Sequence, residues 1–413
     1  MKKKILSLLT ASMVLGVSLF GCGAVDEDKK TTVTTTTPVE TTTEEPTTTE
    51  PPFEPVELEI VMIGDMLMHM GVQNSGLLPD GTRNYDHIFA NVKDDIQAAD
   101  IAIANQEVIL GGEELGFSGY PCFNCAYEVG DALVNAGFNV VLHATNHTLD
   151  KGVAGVLNCI NYWETNHPDI AYLGINDEEE DQDDIYVYEK DGIKVAILNY
   201  TYGTNGIMLP DNQHYFYVDY MDDNTVEEVK ADIAKAKEIA DFVIVCPHWG
   251  VEYTYTEVES QHVWGQIFAD SGADLILGTH SHCIEPVKVI EAADGRQVVC
   301  YYSLGNFIST QQNAMNMLGA MAKVTITNDE DGNVFIKEYG VEPLVDQQIF
   351  GTQKMTVYKL SDYTSDLVYQ NAILNYDGSF SMQWLVNTSM QVFGDLYVPE
   401  GEALNYVPQD STN

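Results

Sequence analysis

Residues 275–287, LILGTHSHCIEPV, close a short apolar run with Gly278 and then set His280 and His282 one residue apart. An apolar run of this length, stopped by glycine, reads as a buried strand. Alternate residues keep to one side only while a strand continues, so two imidazoles that converge beyond its end need a special backbone. The pair is either a surface polar feature or a metal holder, and the rest of the chain has to decide which.

Working outward, the same kind of run recurs as LEIVMIG (58–64), DIAIAN (100–105), FNVVLHAT (138–145), KVAILNY (194–200) and DFVIVCPH (241–248). Amphipathic stretches at 126–136, 153–163 and 226–240 lie between several of them. Strands alternating with helices give the α/β class. Residues 323–339 read as a hairpin turning on Asp331-Gly332, without the oxygen spacing of a calcium loop.

Polar residues able to bind metal stand where these strands end. Asp65 follows the first, Asn105 and Glu107 the second, Asn146 and His147 the third, His248 a later one, and His280 with His282 the last. In open α/β sheets the crevice outside the carboxyl ends of the strands is where ligands bind. Taken singly, each group has an ordinary reading. Gly64-Asp65 is a turn or cap, ANQE (104–107) a solvated loop, TNHTLDKG (145–152) a helix entry shaped by Asp150 and Gly152, and HWGVEY (248–253) an aromatic cluster. Taken together, carboxylate, imidazole and carboxamide suit zinc, manganese or iron better than calcium. Two such ions about 3.5–4 Å apart, sharing a carboxylate, clamp both oxygens of an in-line displacement at phosphorus.

The ordered series IGDMLMH (63–69), ANQE, FNVVLHATNHTLDKG (138–152), CPHWGVEY (246–253), GADLILGTHSHCIEPV (272–287) and YYSLGNFI (301–308) resembles the bacterial CapA family of capsule or poly-γ-glutamate synthesis proteins. The resemblance covers residues 57–308. It implies a calcineurin-like metallophosphoesterase fold, a four-layer α/β sandwich of two β-sheets flanked by helices. It also implies one or two divalent ions (Mn, Zn or Fe), with Asp65 and His282 on the first, Asn146, His248 and His280 on the second, and Glu107 bridging. His147 resembles the histidine that assists catalysis. His69, Asn105, Glu252, Ser303 and Asn306 are expected around the substrate pocket. The chain departs from the superfamily pattern at Asp65-Met66-Leu67, where Asp-x-His is usual, leaving the first metal one ligand short unless His69 compensates. Glu107 stands in place of an aspartate.

Residues 1–22, with a basic start, an apolar run and LFGC, resemble a lipoprotein signal whose Cys22 becomes the lipidated first residue. Residues 23–56 are rich in Thr, Glu and Pro and cannot bury enough to fold, so they read as a stalk. The metallophosphoesterase-like domain is expected over 57–345, and a C-terminal extension over 346–413 packed on the domain or trailing it. Lipidation would tether the chain at the outer face of the bacterial cytoplasmic membrane. Six of the seven cysteines follow Cys22, and Cys122 with Cys125 form a loop disulfide or remain two free thiols. Against 63 acidic residues stand 19 Lys and Arg, a net charge of −44 that excludes nucleic acid as a partner.

The expected partners are an anionic capsule or cell-wall polymer, the membrane through the lipid, and other capsule-synthesis membrane proteins. Two functions stay open at this point. One is a metal-dependent hydrolase or transferase cutting a phosphoester or amide bond. The other is a non-catalytic tether or export factor that binds the polymer through its metals.

Overall fold

The computed structural model describes residues 53–177, 185–208 and 217–397. The leader with Cys22 and most of the stalk lie outside these residues, as does the chain from 398. In chain order the first strands are β1 (Glu57–Met66), β2 (Ile101–Asn105), β3 (Val140–Leu142), β4 (Ala171–Leu173), β5 (Ile175–Asn176), β6 (Tyr186–Lys190), β7 (Ile193–Thr201) and β8 (Tyr217–Val218). They are followed by β9 (Phe242–His248), β10 (Leu275–Leu277), β11 (Val287–Glu291), β12 (Gln297–Tyr301), β13 (Asn306–Ile308), β14 (Leu318–Asn328), β15 (Val334–Gln347) and β16 (Thr356–Lys359). The helices are α1 (Met70–Ser75), α2 (Lys93–Ala98), α3 (Glu128–Ala136), α4 (Gly152–Asn166), α5 (Val226–Ile239), α6 (Glu259–Ser271), α7 (Ser365–Gln370) and α8 (Met382–Phe393).

Two large sheets form. The first runs β16-β15-β14-β1-β2-β3-β4, with β13 also paired to β1, and the second runs β11-β12-β10-β9-β7-β6. Strands β1 to β4 are mutually parallel, as are β7, β9, β10 and β12. The continuous apolar runs are explained by burial on both faces. In β1, Leu58, Ile60 and Met62 enter the core between the sheets, while Val61 and Ile63 enter a core that also takes residues of α3 and α4. In β9, Phe242, Ile244 and Cys246 face the inter-sheet core, and Val243 and Val245 pack with Ile233 and Phe268 of α5 and α6. The layers are therefore helix, sheet, sheet, helix, the four-layer α/β sandwich. Each fully buried Leu, Ile or Val contributes about 1.5–3 kcal/mol.

The first sheet does not end where sequence patterning fades. β15 crosses residue 345, and β16 pairs with it in antiparallel register. Beyond them Leu360, Ile373, Leu385 and Phe393 join the inter-sheet core, so this part of the chain is packed on the domain. Ser381 caps α8 by accepting from the Trp384 amide, and Thr364 caps α7 in the same way from Leu367.

Candidate metal centre

The parallel order of β1, β2 and β3 in one sheet and β9 and β10 in the other brings five strand ends together. At the end of β1, the backbone must pass close to the turn before β13. A Cβ on Gly64 would lie 2.0 Å from the Gly305 carbonyl oxygen, which explains a glycine directly before Asp65. Gly278 is under the same demand, with the Tyr302 carbonyl oxygen 2.2 Å from where its Cβ would be. The special backbone required by the two histidines is present. His280 has φ 100° and His282 φ 57°, conformations costing roughly 1–3 kcal/mol each in a residue other than glycine.

Two groups of three buried side chains able to hold a metal result, Asp65-Glu107-His282 and Glu107-His248-His280, with the candidate ligand atoms of each within 4.8 Å of one another. Glu107 belongs to both. Its Oε1 lies 3.8 Å from His282 Nε2, 3.9 Å from His248 Nε2 and 3.9 Å from His147 Nε2. Neither Glu107 oxygen has a hydrogen-bond partner, and neither does His280 Nδ1, although all three are buried. Buried polar atoms are seldom left unpaired, and an acceptor-only cluster of this kind fits divalent cations between its members.

The electrostatics agree. Burial pushes the Glu107 carboxyl well above its usual value and holds His248 and His280 well below theirs, so both imidazoles keep free lone pairs. Burial also disfavours the charged form of His282, but Glu107 and Asp65 outweigh it and raise the ring to about 9. A cation would reverse this balance by favouring the ionised carboxylate and the neutral imidazoles.

Neighbours orient the cluster. Asn105 Nδ2 donates to Asp65 Oδ1 (2.8 Å), and the His280 amide reaches the same carboxylate at 3.3 Å. His248 Nδ1 pairs with Thr279 Oγ1 at 3.0 Å, which turns Nε2 toward Glu107 and Asn146 Oδ1, also at 3.0 Å. Asn306 Oδ1 meets His282 Nδ1 at 3.0 Å, and its amide is fixed by Gln311 Oε1 at 2.7 Å. Such outer contacts set the tautomer and direction of metal-binding histidines.

A cleft of about 780 Å³ opens over Asn146, His147 and His282. Its wall includes His69 and Glu252, two of the residues expected there. Asn105, Ser303 and Asn306 differ from that expectation. Asn105 and Asn306 stand behind the ligands and hold them, and Ser303 Oγ accepts from the Gly305 amide inside the turn. His69 is absent from both ligand groups. Its Nδ1 accepts from the Thr310 amide (3.3 Å), and burial lowers the ring to about 4. Leu67, where Asp-x-His would place its histidine, is buried in the core. Cys122 and Cys125 are free thiols, the first exposed and the second buried.

His147 is steered by Asp150, which lies at the entry to α4. Its Nδ1 donates to Asp150 Oδ2 at 2.7 Å, and that same oxygen accepts from the Phe123 amide at 2.6 Å. Nε2 is thereby left facing Glu107. The spacing His147-x-x-Asp150 is the signal that could have found this pair. Thr279 carries no comparable signal, because its partner His248 is 31 residues away in sequence.

The chain is similar to several known proteins. The chain is 26% identical over 262 residues to "Capsule biosynthesis protein CapA" of Bacillus anthracis, covering 62% of this chain and 61% of that protein. It is 29% identical over 190 residues to "PGA biosynthesis protein CapA" of Bacillus subtilis (strain 168), covering 43% of this chain and 44% of that protein. The chain thus spans 61% and 44% of the lengths of these two relatives. Among solved structures, the NAD nucleotidase NadN of Haemophilus influenzae aligns over 83% of this chain and 64% of its own, with 13% identity and a TM-score of 0.44. The sequence model described as "Bacterial capsule synthesis protein PGA_cap" matches residues 59–311, more than half of the chain, and the chain belongs to that family.

Proposed function

We propose that the chain is a divalent-metal-dependent hydrolase or transferase of the cell envelope, acting on a capsule or cell-wall polymer at a phosphoester or amide bond. The observation that carries this reading is the pair of buried ligand groups sharing Glu107 beneath a cleft whose wall presents His147. The names of the Bacillus relatives support the polymer. The LFGC stretch at Cys22 supports a lipid anchor at the outer face of the cytoplasmic membrane, where other capsule-synthesis membrane proteins would be partners. No described helix is long and apolar enough to cross a membrane.

Asp65, Glu107, Asn146, His248, His280 and His282 would hold the cations, which supply Lewis-acid charge and water activation near neutral pH. The remaining work falls to the chain's own groups. Asp150 keeps the proton of His147 on Nδ1, so that Nε2 faces the cleft, where in its protonated form it gives a proton to the departing oxygen or nitrogen. Tyr202 lies against His280 with ring centroids 4.6 Å apart and screens that side of the cluster from water. A binding tether has no use for a steered imidazole at the cleft, which favours the catalytic reading. The test is turnover by the Mn²⁺-loaded protein of bis(p-nitrophenyl) phosphate and of a γ-linked glutamate oligomer, with His147→Ala alongside. Product from either probe, reduced in the variant, supports the proposal; no product from both contradicts it.

A further inference from the structure

His69 lines the cleft but belongs to neither ligand group. It stands at the N-cap of α1, yet its side chain makes no capping bond there. Nor does it serve the core, being half-buried and part of the cleft wall. Its ring is held all the same. Phe123 meets it edge to face, with centroids 5.1 Å apart at 83°, and the same phenyl ring meets His147 at 4.7 Å and 81°. Two imidazoles thus flank one buried phenylalanine of the YPCFNC stretch, and all three residues line the cleft. A Cβ on Gly71 would fall 2.7 Å from Thr310 Cγ2, so glycine there lets the loop after β13 approach closely enough for the Thr310 amide to reach His69.

The contacts of Nδ1 fix the tautomer. The Thr310 amide points at Nδ1 from 3.3 Å, and the Leu67 carbonyl oxygen lies 3.2 Å from the same atom. One ring nitrogen either accepts or donates. The Leu67 carbonyl already accepts from the His69 amide at 2.7 Å, whereas the Thr310 amide has no other acceptor among the described residues. Orphaned N–H groups are rarer in folded proteins than carbonyls with a lone pair unused. Nδ1 therefore accepts, and the ring proton sits on Nε2, which has no partner among the described residues. Burial holds the ring at about 4, so this N–H is uncharged through the neutral range. The described cleft wall carries Glu252 and Asp150 and no lysine or arginine, so uncharged donors are what it can add to the cations and His147.

We propose that His69 is a second catalytic imidazole, whose Nε2–H donates a hydrogen bond to an oxygen of the reacting group that gains negative charge in the transition state. His147 passes a proton to the departing atom, while the proton of His69 stays on Nε2 and no bond to that ring forms or breaks. A donor fixed in advance does this work without reorganising, because Thr310 and Phe123 hold the ring before substrate arrives. The proposal rests on the hydrolase or transferase reading above and adds a residue to its chemistry.

The test compares His69→Phe, which keeps a ring against Phe123 but removes the donor, with His69→Gln, which keeps an uncharged N–H. His69→Leu stands in as the donor-free variant if the phenyl ring prevents folding. Metal content, calorimetric binding of inorganic phosphate to the Mn²⁺-loaded protein, and turnover of bis(p-nitrophenyl) phosphate are measured on the same preparations. His69→Phe is expected to keep its Mn²⁺ and to bind phosphate about tenfold more weakly. Its kcat should fall about 10²- to 10³-fold with KM changed less than about threefold, and its pH–rate profile should keep the wild-type shape, because His69 transfers no proton. His69→Gln should recover at least about tenfold of the lost rate. Loss of Mn²⁺ from the donor-free variant would make His69 a ligand and overturn the proposal. Unchanged phosphate affinity and kcat in that variant, or equal losses in it and His69→Gln, would overturn it as well. Phosphate binding separates this proposal from the hydrolase reading. Affinity lost in His69→Phe and regained in His69→Gln, in a protein that turns over no probe, upholds the donor and sinks the hydrolase; turnover indifferent to His69 does the reverse.

Discussion

Asn146 and His147 are adjacent in sequence yet their side chains have different partners. Asn146 Oδ1 points at the spot shared with His248 Nε2, while His147 is anchored to Asp150 and turned to the cleft. His147→Ala should therefore keep its divalent metal and lose a factor of about 10² to 10⁴ in turnover. Asn146→Ala should lose metal. Elemental analysis and rates on the same preparations check both, and metal loss from His147→Ala would move that residue among the ligands. Asp150→Asn should act in the same direction as His147→Ala but more weakly, because the amide still contacts Nδ1 without holding the proton there.

At this scale the ligand types were legible and the supporting ones were not. Asp65, Glu107 and the histidines announce themselves by chemistry at strand ends. By sequence alone Asn105 and Asn306 are pocket candidates, because a local sequence does not reveal which side of a ligand a carboxamide occupies. His280 and His282 raised the right question, since their spacing required a backbone that only the folded turn supplies, with positive φ at both.

Among the elements, β15 carries a titrating group that the chemistry does not use. Asp346 accepts from the Ser309 amide at 2.8 Å, its other oxygen is unpaired, and burial pushes its carboxyl up to about 8. The unfolded carboxyl titrates near about 3.9. Between these values the folded chain binds the proton that the unfolded chain has released, so the slope of stability with pH is negative. The contribution of Asp346 is fully present below about pH 4 and is lost as pH rises through about 8. Asp346→Asn should therefore show a flatter fall in Tm from pH 5 to 8 than the wild type, measured with chelator present so that metal linkage does not intervene. Parallel curves would place the dependence elsewhere. The β1 end supplies a second case. Gly64→Ala drives a methyl into the Gly305 carbonyl and should cost at least about 1–3 kcal/mol in chemical denaturation, and an unchanged midpoint would mean that the turn yields freely.

The six sheet strands read from the sequence are legible because both of their faces are buried, which leaves continuous apolar runs. β16, α7 and α8 were not legible. Their apolar residues fill gaps at the end of an existing core, so the partner that explains Val357, Val368 or Leu385 lies in the sheets and not in the local period.

For the molecule as a whole, the strain at two histidines and the unpaired Glu107 carboxylate are costs that a bound metal would offset, so stability should follow metal concentration. A free ion at 1,000 times its dissociation constant adds about 4.1 kcal/mol. Thermal melts across a Mn²⁺ series should rise for the wild type and stay flat for the His280→Ala, His282→Ala double variant. Matching rises in both would show that the ion acts elsewhere.

Glu107 is proposed to join two cation sites at the meeting of five strand ends. Anomalous diffraction from crystals of the Mn²⁺-loaded protein tests this arrangement. Two peaks are expected, one beside Asp65 and His282 and one beside His248 and His280, both within bonding distance of Glu107. No anomalous density next to Glu107 would contradict it.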